Sequence, residues 1–202
     1  DRLSGGTAYR SLSEQLRKDL KGSPAKQAGE ILSRLNSQMR NLSALTFAEK
    51  ATMKGGKPDW EVDSYDLNQS AKHSATDGWG MFLLAYSVMK DAGIKPKIAY
   101  VADRDQRRIS SNGRNPNQFT DLVLGVDEGG NGITWMDPAM RYASPGLLNP
   151  DYQGTLAFVV NSADWTGKFE GMGTQTGGFN QTRYTYHLNI AEDQDAVKLE
   201  VG

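Results

Sequence analysis

The chain has 202 residues, with 23 Lys and Arg against 24 Asp and Glu, a net charge of −1 and no cysteine. That balance gives no global field for nucleic acid or an anionic membrane. The missing thiols exclude disulfides, thiolate metal sites and cysteine catalysis, and no run approaches the roughly 18 apolar residues of a membrane span. The length suits one large domain, or one domain with an appendage, and can bury a core without metals or disulfides. The first residue is Asp1 rather than Met, as expected of a processed or trimmed product.

Helices are expected first. Ser11-Leu12-Ser13-Glu14 has the form of a capping box, followed by Leu16 and Leu20 at helical spacing, with Gly22 as the expected stop. Ser23-Pro24 combines an N-cap serine with a proline suited to the first helical turn. Ala28, Ile31, Leu32, Leu35 and Met39 then form a one-sided apolar stripe. Thr46-Phe47-Ala48-Glu49 is a second capping box, opening a short helix that Gly55-Gly56 should end. Residues 57–76 read as polar and irregular, anchored by Trp60 and Tyr65.

From about Trp79 to Ala92 the chain is apolar on nearly every side, which predicts a central helix. Gly93 suits its left-handed C′ position, with Ile94 as the hydrophobic contact that follows. The period then changes to two. Strands are expected over 98–102, 119–126, 133–137 and 155–160, with a long polar loop over 104–118 and a hairpin turn over 127–132. A Gly-rich stretch over 167–178 separates these from a last hairpin, about 182–190 and 196–201, turning at 192–195. The fold class is α+β: N-terminal helices and a central helix packed on an antiparallel sheet. The expected division is one domain over 1–165 and a β-hairpin appendage over 166–202.

Alternation puts Phe119, Asp121 and Val123 on one face of their strand, and Ile133, Trp135 and Asp137 on one face of the next. The short turn makes these strands antiparallel neighbours, so Asp121 and Asp137 are expected to face the same side. Both are acids set in apolar strands, where Asp fits poorly. If the central helix packs on that face, its mouth at Gly78 points at them. The plainer reading has Asp137 marking a strand end before Pro138, which suits Asp121 less because it is expected inside its strand.

The ordered set "ATDGW", "AGIKPKIAYV", "FTDLVLGV" and "TWMDPAMRYASPGLLNPDYQGTLAFVV" resembles the bacterial transglutaminase-like branch of the papain-like cysteine protease fold. The resemblance covers about residues 64–160, and the last hairpin looks like the start of the β domain that often follows this core. In that family a Gly-Asp-Cys motif opens the helix, a Phe-Asn-His strand supplies the base and a Trp-Leu-Asp-Pro strand supplies the orienting acid. The resemblance implies that Gly78 stands at the nucleophile position, Asp121 at the base position and Asp137 at the acid position. A helix mouth lowers a thiol's pKa, yet Gly78 carries no thiol, and Asp121 cannot do the work of an imidazole near neutral pH. The expectation is a domain with a degenerate triad and no cofactor, acting in binding or scaffolding. A secreted or periplasmic bacterial setting is implied by the resemblance alone.

Asp77, Asp121 and Asp137, with Trp79 and Trp135, are the candidate ligand residues of an acidic cleft suited to a peptide, a protein segment or an amine. No metal site is expected. For each residue taken singly the plainer reading competes: Asp77 as a helix cap, Trp79 and Trp135 as core. The rival function is a hydrolase or acyltransferase of the same fold with a relocated hydroxyl nucleophile among Ser70, Ser74 and Thr76, close to His73; no G-x-S-x-G elbow supports it. His187 reads as an ordinary strand residue. Arg104, Arg107, Arg108 and Arg114 could grip an anion, but Asp103 and Asp105 dilute their charge.

Overall fold

The protein is described here from a computed structural model covering residues 6–53, 58, 60–112, 115–128 and 132–173, with the backbone of 186–189 and 198–201. Its architecture is α+β. The helices are α1 (Thr7–Arg17), α2 (Pro24–Gln38), α3 (Phe47–Ala51), α4 (Leu67–His73) and α5 (Gly78–Asp91). A short parallel ladder joins β1 (Arg40–Asn41) to β2 (Ala75–Thr76). The main sheet takes β3 (Lys97–Val101), β4 (Asp121–Asp127), β5 (Ile133–Met136), β6 (Leu156–Asn161) and β7 (Gly167–Gly171) in the order β5-β4-β3-β6-β7, antiparallel throughout. A separate antiparallel hairpin pairs β8 (Tyr186–Asn189) with β9 (Lys198–Val201). No helix is long and apolar enough to cross a membrane among the described residues.

Local signals explain much of the helical layer. Ser23 accepts from the Lys26 N–H ahead of Pro24, and the whole expected stripe from Ala28 to Met39 is buried. Thr46 and Glu49 close their capping box reciprocally. At the end of α5 the Ile94 N–H reaches the Met89 carbonyl and the Gly93 N–H reaches that of Lys90, a Schellman closure with Gly93 at φ +78°. Three helical expectations fail. The capping box at Ser11 is not used: α1 starts at Thr7, and its first N–H groups are capped from a distance by Asn68 Oδ1, 2.9 Å from the Ala8 nitrogen. The helix also ends at Arg17, well before Gly22. Residues 67–73, expected to be irregular, form α4 under an Asp66 cap. Gly55 and Gly56 lie outside the described residues.

The sheet separates two cores. On one face Leu124, Val126 and Met136 are sealed by α5 and α2, with Phe82, Leu84, Val88, Met89, Ile31 and Leu35. On the other, Ala99, Val101, Val123, Ala157 and Val159 are covered by the returning loop through Leu148 and Tyr152, with Trp135 packed against them. The α1 helix is tied to the far end of α5: Tyr9 and Ser13 hydroxyls both donate to Asp91, at 2.8 and 2.7 Å, and Arg17 donates to its carbonyl. Gly167–Gly171, read from the sequence only as the start of a Gly-rich stretch, is the edge strand of the main sheet, paired along β6. Gly167 is required there by close approach, since a Cβ would fall 2.4 Å from the Phe158 ring. The terminal hairpin pairs only with itself among the described residues, and its expected turn at 192–195 lies outside them.

Candidate functional site

The mouth of α5 is built from three segments. Asp77 caps it, with Oδ1 accepting from the Gly80 N–H at 2.8 Å, while Oδ2 accepts from the Ser64 hydroxyl at 2.7 Å. Both carboxylate oxygens are thus engaged, and Asp77 takes the capping role. The Gly78 N–H donates to Ser43 Oγ at 2.9 Å. A Cβ on Gly78 would lie 3.2 Å from the Ala139 methyl and 3.7 Å from Ser43, so the room for a side chain is narrow. Gly80 has none: a Cβ would sit 1.9 Å from Thr76 Oγ1. Ser43 and Ala139 were not anticipated, because neither carries a local signal that points to a helix so distant in sequence.

Asp121 and Asp137 lie within electrostatic reach of each other, as their shared side of the hairpin requires. Asp121 is the first residue of β4, not an interior one, and Asp137 follows the last residue of β5. Asp121 is exposed and accepts from the Tyr152 hydroxyl at 2.8 Å. Asp137 is buried, with Oδ1 held by the Ala139 N–H at 3.0 Å. Burial pushes the Asp137 carboxyl up to about 6; the Ala139 and Met140 N–H groups oppose that and the Asp121 charge adds to it. The Tyr152 phenol is pushed well above its usual range, first by burial and then by its bond to Asp121, and both acids favour its neutral form. Tyr152 was missed because nothing in Asn149-Pro150-Asp151-Tyr152 ties it to a strand about thirty residues earlier.

The five candidate ligand residues do not line one cleft. The central helix packs on the Leu124–Val126–Met136 face, whereas Tyr152, Asp121's partner, packs on the opposite face with Val123. The helix therefore does not cover the Asp121 face. Trp79 is 37 % exposed on the helix side, stacked on Phe82 at 5.6 Å and edge-on to Tyr65 at 6.1 Å. Trp135 lies across Gly125 on the other side of the sheet. Period-two alternation sorts residues between two faces but does not say which face a helix will take.

The hydroxyls near the helix mouth differ in setting. Ser70 and Thr76 are buried and bonded to each other at 3.2 Å. Ser74 caps α4 in a left-handed conformation at φ +49°. The His73 ring stacks on Trp60 at 4.2 Å. The His187 side chain lies outside the described residues.

Clefts open to solvent among the described residues include two of more than 500 Å³. One of about 540 Å³ adjoins the helix mouth through Asn41, whose side chain donates to the Ala139 carbonyl at 2.7 Å. Its walls are the end of α2, Ala44, Leu45, Glu49, Arg141 and Tyr142. Arg141 grips Glu49 with two bonds of 2.8 Å. The Thr46 backbone and hydroxyl, with Arg141, hold the Glu49 carboxyl down at about 2. Tyr142, one of its walls, stands exposed. The other cleft, about 550 Å³, is lined by Arg104, Arg107, Arg108, Ile109, Gly154 and Leu156. Arg114 lies outside the described residues.

No family model matches the chain, and no curated protein does. Among solved structures, a "putative protease" from Parabacteroides distasonis superposes with a TM-score of 0.50 at 14 % identity, over 86 % of this chain and 29 % of that one. Rad4–Rad23 bound to a 6-4 photoproduct UV lesion matches with a TM-score of 0.36 at 11 % identity, over 79 % of this chain and 42 % of that one. The chain thus spans less than a third of the Parabacteroides protein and shares its fold over that part.

Proposed function

We propose that this is a noncatalytic domain of transglutaminase-like type, with a degenerate triad, that binds a peptide or protein segment. The observation that carries the reading is the helix mouth. Acyl transfer needs a nucleophile, a base and an orienting group acting together. Gly78 offers no nucleophile, its N–H is engaged by Ser43, and a Cβ there would lie 3.2 Å from the Ala139 methyl. Asp121, at the position of the base, is bound to Tyr152. Asp137 alone keeps the residue type that the resemblance asks for.

The 540 Å³ cleft beside that mouth is the proposed binding site. Its mixture of apolar wall, amide side chains and a clamped ion pair suits backbone and side-chain contacts with a peptide. The secreted or periplasmic setting rests on the resemblance. An array of short peptides probed with wild type and Tyr142→Ala tests the proposal. Peptides retained by wild type should be lost from the variant. Equal retention by both, or none by wild type, would sink it.

A further inference from the structure

The helices cover only half of their face of the sheet. Leu124 and Met136 are fully buried under α5 and α2. The same face continues across β3, β6 and β7, where register puts Tyr100 opposite both Leu122 and Phe158, and Phe158 opposite Phe169. There the rings of Tyr100, Phe158 and Phe169 form a ladder, with successive centroids 6.4 and 5.1 Å apart, and Phe119, just ahead of β4, packs on Tyr100 at 5.6 Å and on Phe158 at 6.4 Å. Tyr100 is 38 % exposed and the three phenylalanines are half-buried. Four clustered aromatic residues on a half-open face have the chemistry of an interaction surface.

The chain carries a matching piece. In the terminal hairpin Tyr186 pairs with Val201 and Leu188 with Leu199, while His187 pairs with Glu200 and Asn189 with Lys198. Alternation therefore gives the hairpin one wholly apolar face and one wholly polar face. A two-stranded hairpin is marginal in water unless such a face is covered. The hairpin also follows β7, the strand at the open end of the aromatic ladder. The chain from Gly171 to Tyr186 can extend roughly 50 Å, against a ladder only about 15 Å wide at the usual strand spacing.

We infer that the aromatic ladder of β3, β6 and β7 is a docking surface whose occupant is the apolar face of the β8–β9 hairpin of the same chain. Covalent tethering makes this encounter intramolecular, so little affinity per contact is needed.

The chain has no cysteine, which allows single reporter thiols to be placed in the 202 residues as they stand. Leu188→Cys places a thiol on the apolar face and His187→Cys one on the polar face. In native buffer, maleimide should label position 188 at least about tenfold more slowly than position 187, as expected of a site that reacts only by local opening. Adding Tyr100→Glu, or Phe169→Glu at the edge strand should the first variant lose its circular dichroism, should abolish that difference. Equal labelling at 187 and 188 in the parent overturns the inference. So does protection at 188 that survives both ladder substitutions, or that fades on dilution and thus comes from a second copy.

Discussion

The Asp137 carboxyl makes the protein's stability depend on pH with a sign opposite to that of most acids. Its pKa in the folded state is about 6, raised from an ordinary 3.8 mainly by burial. In the unfolded chain it regains the ordinary value. Below pH 4 it is protonated in both states and costs nothing. Between about 4 and 6 the folded state holds the proton more tightly, so each rise in pH takes stability away. Above 6 the loss is complete, at about 3 kcal/mol for the rise from 3.8 to about 6. Asp137→Asn keeps an oxygen for the Ala139 N–H, donating 3.0 Å away, and removes the ionisation. Urea unfolding of both proteins across pH 4 to 7.5 isolates the effect, since Glu49 and the other acids are common to both. The variant should match wild type near pH 4 and exceed it increasingly toward pH 7. A difference between the two that stays constant across this range would refute the reasoning.

Three further substitutions report on the helix that carries the site. Leu84 is wholly buried, and Leu84→Ala should cost about 2–5 kcal/mol in chemical unfolding. Gly80→Ala forces a methyl to 1.9 Å from Thr76 Oγ1 and should cost about 1–3 kcal/mol as overpacking, with a lowered Tm. Gly93→Ala has open space around its Cβ but a φ of +78°, so it should lose only about 1 kcal/mol, read in the same titration.

The sequence spoke clearly where structure is decided within a few residues. Ser23-Pro24, the Thr46–Glu49 box and Gly93-Ile94 all act through bonds spanning five residues or fewer, and all are realised. It misled where a distant partner takes over. Ser11 looks like a cap, yet Asn68 supplies the cap one turn earlier and Ser13 is drawn inward to Asp91. The α4 helix did leave a mark, since Asp66 caps the Gln69 N–H in a familiar spacing that the surrounding polarity obscured. Gly167–Gly171 shows only as Gly-rich in the sequence, and is a strand in which Gly167 lets the Phe158 ring approach closely. At the site, the nearness of Asp121 and Asp137 followed from hairpin pairing alone. The face taken by α5, the Ser43 bond to Gly78 and the grip of Tyr152 on Asp121 all depend on how layers stack, which no local pattern encodes.

Turnover of amide and peptide substrates tests the proposed lack of catalysis most directly. Wild type, Ser74→Ala and Thr76→Ala, incubated with such substrates under one set of conditions, should all give rates indistinguishable from buffer. A wild-type rate above buffer that either substitution abolishes would contradict the account, and would place the nucleophile on the hydroxyl removed.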